Sequence, residues 1–370
     1  FDLPSGKWLS FDLIEDGITS ILPAELSATI SNLDELDPRS FQLYMSSELG
    51  RSRTQKSNQV IPDNFVEVAI QIIGEADGSF DSGDKIILYG RGSSGFDIKR
   101  QEIIWHQNLY FKNNKTWLFI PDDPSLRGKR IATDQPPETV DLSLDYGNAF
   151  LHSETDLINP NASGTLWLGN TIPASGSQAI IAPLPFPKAG VDIEIKATLK
   201  GHSLSKTTIA SHSVSLHHNN IIGSQIGNTV IWSGTGTRTI SDLSADITPI
   251  NGTNYFHFVN SSTDENSAPY LDYFELQYGR DLTFNEGFEF CSPIIGQNVR
   301  FIFSGTFSMI HSLWEISNPA VPKNIPIFPN GYAEWAADPD TMGRFVFFDS
   351  NNIPEITGLV LEPNFLLTSL

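Results

Sequence analysis

Apolar and polar residues alternate along several short segments of this 370-residue chain, most clearly along residues 191–199. The apolar members of that segment are Val191, Ile193, Ile195, Ala197 and Leu199, and the polar members are Asp192, Glu194, Lys196 and Thr198. A period of two places the apolar set on one face of a strand, as in an antiparallel sheet that covers a core on one side. Heptads and a sustained helical period are absent from the sequence. The pattern therefore predicts strands.

Further strand-like segments follow one another at short intervals, with Gly, Asn, Asp and Pro turns between them. They include residues 66–72, 116–120, 212–216, 230–232, 255–259, 271–278, 299–303 and 344–348. Strand, turn and strand at this spacing is typical of sandwiches and jelly rolls. The sequence predicts an all-β protein with two or three antiparallel β-sandwich domains, jelly-roll-like in character, in tandem.

The length of the chain also favours more than one domain, because domains usually hold roughly 100 to 200 residues. Residues 121–137 contain four prolines, which a central strand does not accommodate, so a boundary is expected there. We expect an N-terminal β domain at 1–140, a central β-sandwich of jelly-roll type at 144–280, and a small β domain at 281–370 that leads into a further domain.

Charge and cysteine content narrow the classes of function. The formal net charge is −20, which argues against a nucleic-acid partner, since phosphates are held by clustered Lys and Arg. The single cysteine, Cys291, excludes an intrachain disulfide. No apolar run reaches the roughly 20 residues that span a bilayer, so no transmembrane segment is expected in this chain. The chain starts at Phe1 and ends in the apolar stretch 364–370, and we expect it to be a segment of a larger protein.

One acidic turn has the composition of a calcium loop. Between two apolar segments, residues 77–84 offer the oxygen atoms of Asp77, Ser79, Asp81 and Asp84 as ligands, and calcium takes oxygen ligands. The turn lacks the glutamate that closes an EF-hand loop at its twelfth position. An alternative without metal is a β-turn in which the Asp side chains accept hydrogen bonds from backbone amides.

Two sets of residues have the composition of a catalytic or metal site. Cys291 with the preceding His202 has the residue types and chain order of a cysteine peptidase dyad, but a buried Cys is commonly a small apolar residue. Metal ligation is a further hypothesis for the histidines and acids in two short segments, which are His212, His217 and His218, and His152, Glu154 and Asp156. Adjacent His217 and His218 would point to opposite faces of a strand.

Four aromatic residues suggest a second class of function, carbohydrate binding. Trp105, Trp167, Trp232 and Tyr255 are candidates for stacking on sugar rings, and core packing is the alternative for each. The chain has no nucleotide-binding glycine motif, no Gly-x-Ser-x-Gly elbow and no His-Glu-x-x-His segment, so serine-based and nucleotide chemistry are not supported.

A series of loose motifs resembles the region upstream of the peptidase domain in the gingipain-like cysteine peptidases, the family of the PorU-type sortases of type IX secretion. In chain order these are residues 83–90, Asn108-Leu109-Tyr110, residues 154–159, residues 164–169 with Trp167, residues 271–275 followed by 279–282, residues 313–319 with Trp314, and residues 343–348. The resemblance spans roughly residues 70–350 and depends on the order of the motifs.

This resemblance implies an exported bacterial protein at the cell surface or outer membrane. Its catalytic domain is expected just after Leu370, which makes this chain a non-catalytic N-terminal region that supports and positions the peptidase. Sortases of this family remove carboxy-terminal sorting signals from secreted proteins and attach those proteins to the surface. The expected partners are the downstream peptidase domain and secreted protein substrates. No required cofactor is expected, and calcium at the 77–84 turn is the candidate bound ion. The alternative function is an adhesin-like sandwich that binds a surface glycan.

Overall fold

The computed structural model describes residues 5–363, apart from 47, 48, 50–64, 100, 109, 161, 163, 165 and 246. The terminal stretch 364–370 and Leu109 therefore lie outside the described residues. Contacts within the chain divide it into two units. Unit 1 consists of Phe1–Leu144 together with Thr283–Leu370, and unit 2 is Asp145–Leu282.

Almost all regular structure is β. The first part of unit 1 contains β1 Gly6–Leu13, β2 Gly17–Ile21, β3 Gln42–Ser46, β4 Phe65–Val68, β5 Gln71–Ile73, β6 Lys85–Gly90, β7 Gly95–Lys99, β8 Glu102–His106, β9 Asn114–Pro121, β10 Ala132–Thr133 and β11 Leu142–Leu144. Unit 2 contains β12 Tyr146–Glu154, β13 Ser177–Leu184, β14 Ile193–Lys200, β15 Ser211–His218, β16 Gln225–Ser233, β17 Thr237–Ala245, β18 Gly252–Asn260 and β19 Tyr270–Asp281. Unit 1 resumes with β20 Phe288–Cys291, β21 Val299–Ile302, β22 His311–Glu315, β23 Lys323–Asn324, β24 Ile327–Phe328, β25 Tyr332–Trp335, β26 Arg344–Asp349 and β27 Val360–Glu362. The short helices are α1 Pro23–Ser27 and the 3-10 turns Leu33–Glu35, Pro38–Ser40 and Glu75–Asp77. The all-β prediction is confirmed.

Unit 2 is an eight-stranded sandwich with the strand order of a jelly roll. One sheet has the order β12-β19-β14-β17 and the other has the order β13-β18-β15-β16. The alternation seen in the sequence decides the inner face of β14, where Ile195 lies opposite Leu276 and Ala197 opposite Phe274 in the neighbouring β19. These four side chains are almost fully buried, while Glu194 and Lys196 on the other face of β14 are exposed.

Unit 1 is built from several smaller sheets. Among them are the five-stranded sheet β27-β1-β9-β3-β4, the three-stranded sheet β2-β6-β5, the hairpin β7-β8, the run β10-β23-β22-β26-β20 and the sheet β11-β21-β25-β24. Strand β27 pairs with β1 in antiparallel register, with Leu361 opposite Leu9. Ile356 and Leu359 are buried in the same core as Leu9 and other residues of the first 120 positions.

This division differs from the three consecutive segments expected from the sequence. Residues 283–363 share a core and a sheet with the first part of the chain, because Ile356 and Leu359 are buried in its core and β27 pairs with β1. Unit 2 is consequently an insertion between two parts of unit 1. Its bounds, 145–282, lie close to the expected central domain at 144–280.

Candidate functional site

The acidic turn at residues 77–84 uses its carboxylates to cap its own backbone. Asp77 Oδ1 accepts a hydrogen bond from the Ser79 amide at 3.0 Å, Asp81 Oδ1 accepts one from the Gly83 amide at 3.1 Å, and Asp84 Oδ2 accepts one from the Asp81 amide at 3.0 Å. The Ser79 hydroxyl donates to a backbone carbonyl, that of Asp34, at 2.8 Å. The turn thus matches the alternative without metal, in which Asp side chains replace backbone partners.

The fit of calcium to this turn is poor in the described geometry. Asp84 is buried, with 7% of its surface exposed, and it packs against Gly74, which has a φ of +95°. A Cβ at position 74 would lie 1.5 Å from Asp84 Oδ1, so this contact requires glycine. No group of three or more His, Cys, Asp or Glu side chains within the described residues has a metal-binding arrangement. Calcium at Asp77, Ser79, Asp81 and Asp84 stays a prediction.

Cys291 is a buried thiol at the end of β20, with 1% of its surface exposed. Burial raises the pKa of this thiol to about 12, so at neutral pH it carries its proton and is a poor nucleophile. His202 belongs to unit 2, where its ring lies 4.8 Å from that of Tyr270. In this environment Cys291 acts as a small apolar residue of the unit 1 interior.

The set predicted around His152 forms an ionic cluster on the outer face of the β12-β19-β14 sheet. His152 Nδ1 lies 3.2 Å from Glu275 Oε1, and Nε2 lies 3.0 Å from Glu154 Oε2. Burial alone would lower the pKa of His152, but the two glutamates outweigh burial and raise it. Both ring nitrogens are engaged by carboxylates, an arrangement that suits a protonated imidazole and not a metal ligand.

A carboxyl group beside this cluster, that of Asp272, has a raised pKa. Burial, reinforced by the negative charges of Glu154 and Asp156, raises the pKa of Asp272 to about 6. Asp156, the third member of the predicted set, therefore acts through its charge on Asp272.

The three histidines predicted around β15 do not form one site. His212 is buried, with Nδ1 2.8 Å from the Ser267 hydroxyl and Nε2 3.1 Å from the Gly234 carbonyl. His218 is also buried and its Nε2 lies 3.0 Å from Asn254 Oδ1. Burial lowers the pKa of both imidazoles. His217 points to the opposite face of the strand, as the alternation requires.

The four aromatic candidates for sugar stacking differ in how far their side chains are buried. Trp232 is 5% exposed and belongs to the core of unit 2. Trp105 packs edge-on against Phe96 at 4.9 Å in the β7-β8 hairpin, and the indole of Trp167 donates to the Gly164 carbonyl at 3.3 Å. Tyr255 is 42% exposed on the outer face of β18. Tyr255 and the partly buried Trp167 remain accessible enough to contact a ligand.

Unit 1 also contains a buried ionic network that the sequence analysis missed. Arg344, which lies in the apolar run of β26, places Nη2 2.6 Å from Glu289 Oε2 in β20 and donates through Nη1 to the Phe96 carbonyl at 2.8 Å. The Tyr89 hydroxyl at the end of β6 donates to the other oxygen of Glu289 at 2.9 Å. The arginine side chain is only 6% exposed. Burial alone would lower the Arg344 pKa, but Glu289, Tyr89 and Asp16 together outweigh burial and hold that pKa well above its usual range.

A second arginine and an aspartate complete this network. Arg91 is fully buried and donates to the Phe96 carbonyl at 2.9 Å. Asp16 accepts a hydrogen bond from the Gly92 amide at 2.8 Å, and its Oδ2 lies 3.6 Å from both Arg91 Nη2 and Arg344 Nη2. Burial raises the pKa of Asp16 despite the two arginines. The network joins the first 100 residues of unit 1 to Glu289 and Arg344 in its second part.

The fold and these sites define an all-β protein with a jelly-roll unit inserted into a second β unit. Within the part of the chain that is described, no helix has the length and apolar character needed to cross a membrane. The protein-family models and the curated proteins contain no match to the chain.

A solved structure has the same fold over nearly the whole chain. It is the crystal structure of dimeric latent PorU from Porphyromonas gingivalis, which superposes with a TM-score of 0.77 at 15% sequence identity. The match covers 98% of this chain and 33% of the PorU chain, so this chain spans about a third of that protein's length. The expected likeness to a PorU-like fold is therefore present at the level of structure.

Two carbohydrate-binding modules match over a smaller part of the chain. One is the CBM36 module solved in complex with calcium and xylotriose, with 14% identity and a TM-score of 0.23 over 35% of this chain and 98% of that one. The other is the CBM36-1 domain of a xylanase from the hindgut metagenome of Trinervitermes trinervoides, with 13% identity and a TM-score of 0.22 over 35% and 95%. Superpositions this loose carry no functional argument.

Proposed function

We propose that this chain is the non-catalytic region that precedes the peptidase domain of a gingipain-like cysteine peptidase, and that it supports and positions that domain. The observation that carries the proposal is the superposition of 98% of the chain on a third of PorU with a TM-score of 0.77. A fit over both units is more specific than a fit of one sandwich, because jelly rolls alone host many unrelated functions.

The structure of unit 1 is suited to a supporting role. Strand β27, the last strand described, pairs with β1, and Ser10 donates a hydrogen bond to Glu362 across that pair. A domain that follows would thus be attached close to a strand fixed in a five-stranded sheet. The buried network around Arg344 also holds β26 and β20 to the first part of the unit. A rigid attachment point limits the orientations of the attached domain.

The location and activity of the parent protein follow from the same proposal. The parent would be exported, reside at the outer membrane or cell surface, and act in type IX secretion on the carboxy-terminal signals of secreted proteins. The Cys291 thiol, buried and protonated, supports a catalytic centre outside this chain.

The coding sequence after Leu370 tests this proposal most simply. We expect an α/β segment with a Gly-His-Gly motif followed by a cysteine, since a cysteine peptidase needs a base and a thiolate nucleophile. A stop codon directly after Leu370, or a domain without these residues, would remove the proposal.

The exposed aromatic on unit 2 keeps one alternative open, a glycan-binding sandwich. Tyr255 lies on the outer face of β18 beside Ile181, which is 63% exposed and directly opposite it in β13. An exposed ring flanked by apolar surface is the usual platform for a sugar ring. A glycan array with the wild-type chain and with the Tyr255→Ala variant tests whether unit 2 binds a glycan. Specific binding that Tyr255→Ala abolishes supports the alternative, and Ile231→Ala, also on an exposed position of unit 2, is the matched control.

A further inference from the structure

Two histidines that are 40 residues apart in sequence meet on one face of unit 2. Strands β15 and β18 are antiparallel neighbours, and their register places His217 directly opposite His257. Both residues point to the outer face, because their neighbours Leu216, Phe256 and Phe258 fill the core. Directly opposite residues have Cβ atoms about 4.5–5.5 Å apart, so both imidazoles can reach a common point above the sheet.

The hydrogen bonds of His217 prepare its ring for metal binding. Its Nδ1 lies 3.3 Å from the Gly223 carbonyl oxygen, which accepts only, so Nδ1 carries the proton and donates. Its Nε2 is therefore the lone-pair nitrogen and accepts from the Ser215 hydroxyl at 2.9 Å. Metal-binding histidines commonly donate their second nitrogen to a backbone carbonyl in this way, which fixes the tautomer and the ring orientation.

The ring of His257 is available on the neighbouring strand. Within the described part of the chain it makes no hydrogen bond, and its recorded ring contact is with Tyr255, whose ring lies nearly parallel at 6.2 Å. Both histidines are partly exposed, so an ion can reach them from solvent. The other histidines of this sheet, His212 and His218, are buried and bonded.

We propose that His217 and His257 together bind a first-row transition metal ion of the imidazole-preferring class, with Zn²⁺ as the probe. Imidazole nitrogens suit zinc, copper and nickel, whereas calcium requires oxygen ligands. Two ligands from the chain leave the remaining coordination positions of a tetrahedral zinc open to water or to a group of another molecule. The site is distinct from the acidic turn at 77–84.

The test is a zinc titration of the tag-free 370-residue chain by isothermal calorimetry. We expect the chain to bind one zinc equivalent. His257→Gln should weaken the affinity for zinc at least about tenfold, which is the lower limit seen when even an outer-sphere partner of a metal ligand is lost. His217→Gln is expected to weaken binding equally, and the double variant no further, because one missing ligand already destroys the site. The matched control is His106→Gln, which removes a similarly exposed imidazole, 41% exposed, from unit 1.

Two further measurements keep the test decisive. Thermal unfolding of each variant without zinc shows whether that variant is folded. If His217→Gln does not fold, the result for His257→Gln is sufficient, because His257 has no hydrogen bond to lose within the described residues. Ser215→Ala frees Nε2 of His217 and should retain or strengthen zinc binding. Zinc binding that is absent in the wild type, or that survives His257→Gln unchanged, would overturn the proposal.

Discussion

Replacing Arg344 by methionine is expected to destabilise the protein strongly. Methionine keeps the apolar stem of the side chain but removes the guanidinium that lies 2.6 Å from Glu289 and donates to the Phe96 carbonyl. Breaking a buried ion pair from one side costs about 3–5 kcal/mol, because the remaining charge stays buried without its partner. Because Glu289 is 29% exposed, we expect the loss of unfolding free energy to lie at the lower end of this range, about 3 kcal/mol. For a unit of this size that lowers the melting temperature by roughly 10 °C.

Scanning calorimetry of wild type and variants measures this loss. The matched control is Arg300→Met, which removes a bridge to Glu334 of the same 2.6 Å length at a side chain that is 41% exposed. That change should cost no more than about 1 kcal/mol, as is usual for exposed pairs. Adding Glu289→Gln to Arg344→Met should restore part of the stability, since the unpaired charge is then removed. Equal losses for Arg344→Met and Arg300→Met would refute the idea that the network is a buried electrostatic link.

Three further expectations concern single side chains. Asp272→Asn should stabilise the protein at pH 7.5 by on the order of 2 kcal/mol, because an acid whose pKa is raised to about 6 in the folded state costs stability once it is ionised. Urea unfolding at a series of pH values should show that this gain disappears as the pH falls towards 4. Cys291, whose thiol pKa burial raises to about 12, should react with a thiol reagent only when urea unfolds the chain, and rapid labelling of the native protein would contradict its placement. Asp84→Ala should cost about 1–3 kcal/mol without added metal, because it removes the buried charged acceptor of the Asp81 amide. A rise in melting temperature with Ca²⁺ that Asp77→Ala removes would instead establish the predicted ion.

The sequence predicts the strands of this protein well, because local alternation decides which residues face a core. The segment 191–199 is an example, since Ile193, Ile195 and Ala197 are buried in β14 while Lys196 is exposed. The assignment of residues 283–363 to the same unit as the N-terminal part could not be predicted in this way. It depends on the pairing of β27 with β1. Because about 350 residues separate the paired positions, no local sequence pattern indicates this pairing.

In the candidate sites, too, contacts between residues close in sequence could be predicted, and contacts between distant residues could not. The caps within residues 77–84 were among the alternatives stated from sequence because each bond joins residues two or three positions apart. The opposite directions of His217 and His218 also follow from strand geometry. The meeting of His217 with His257 depends on strand register. The link from Arg344 to Glu289 depends on the pairing of β20 with β26. An arginine inside an apolar strand such as residues 344–348 is the one local signal that a buried partner is needed.

Peptidase activity of the proposed parent protein, measured with and without Cys291, tests the proposed function most directly. The account predicts that the isolated 370-residue chain does not cleave peptides that carry a carboxy-terminal sorting signal. It also predicts that the full-length parent with Cys291→Ala cleaves such peptides at the wild-type rate, and that deletion of residues 1–370 lowers the thermal stability or activity of the remaining peptidase domain. Cleavage by the isolated chain that Cys291→Ala abolishes would contradict the account.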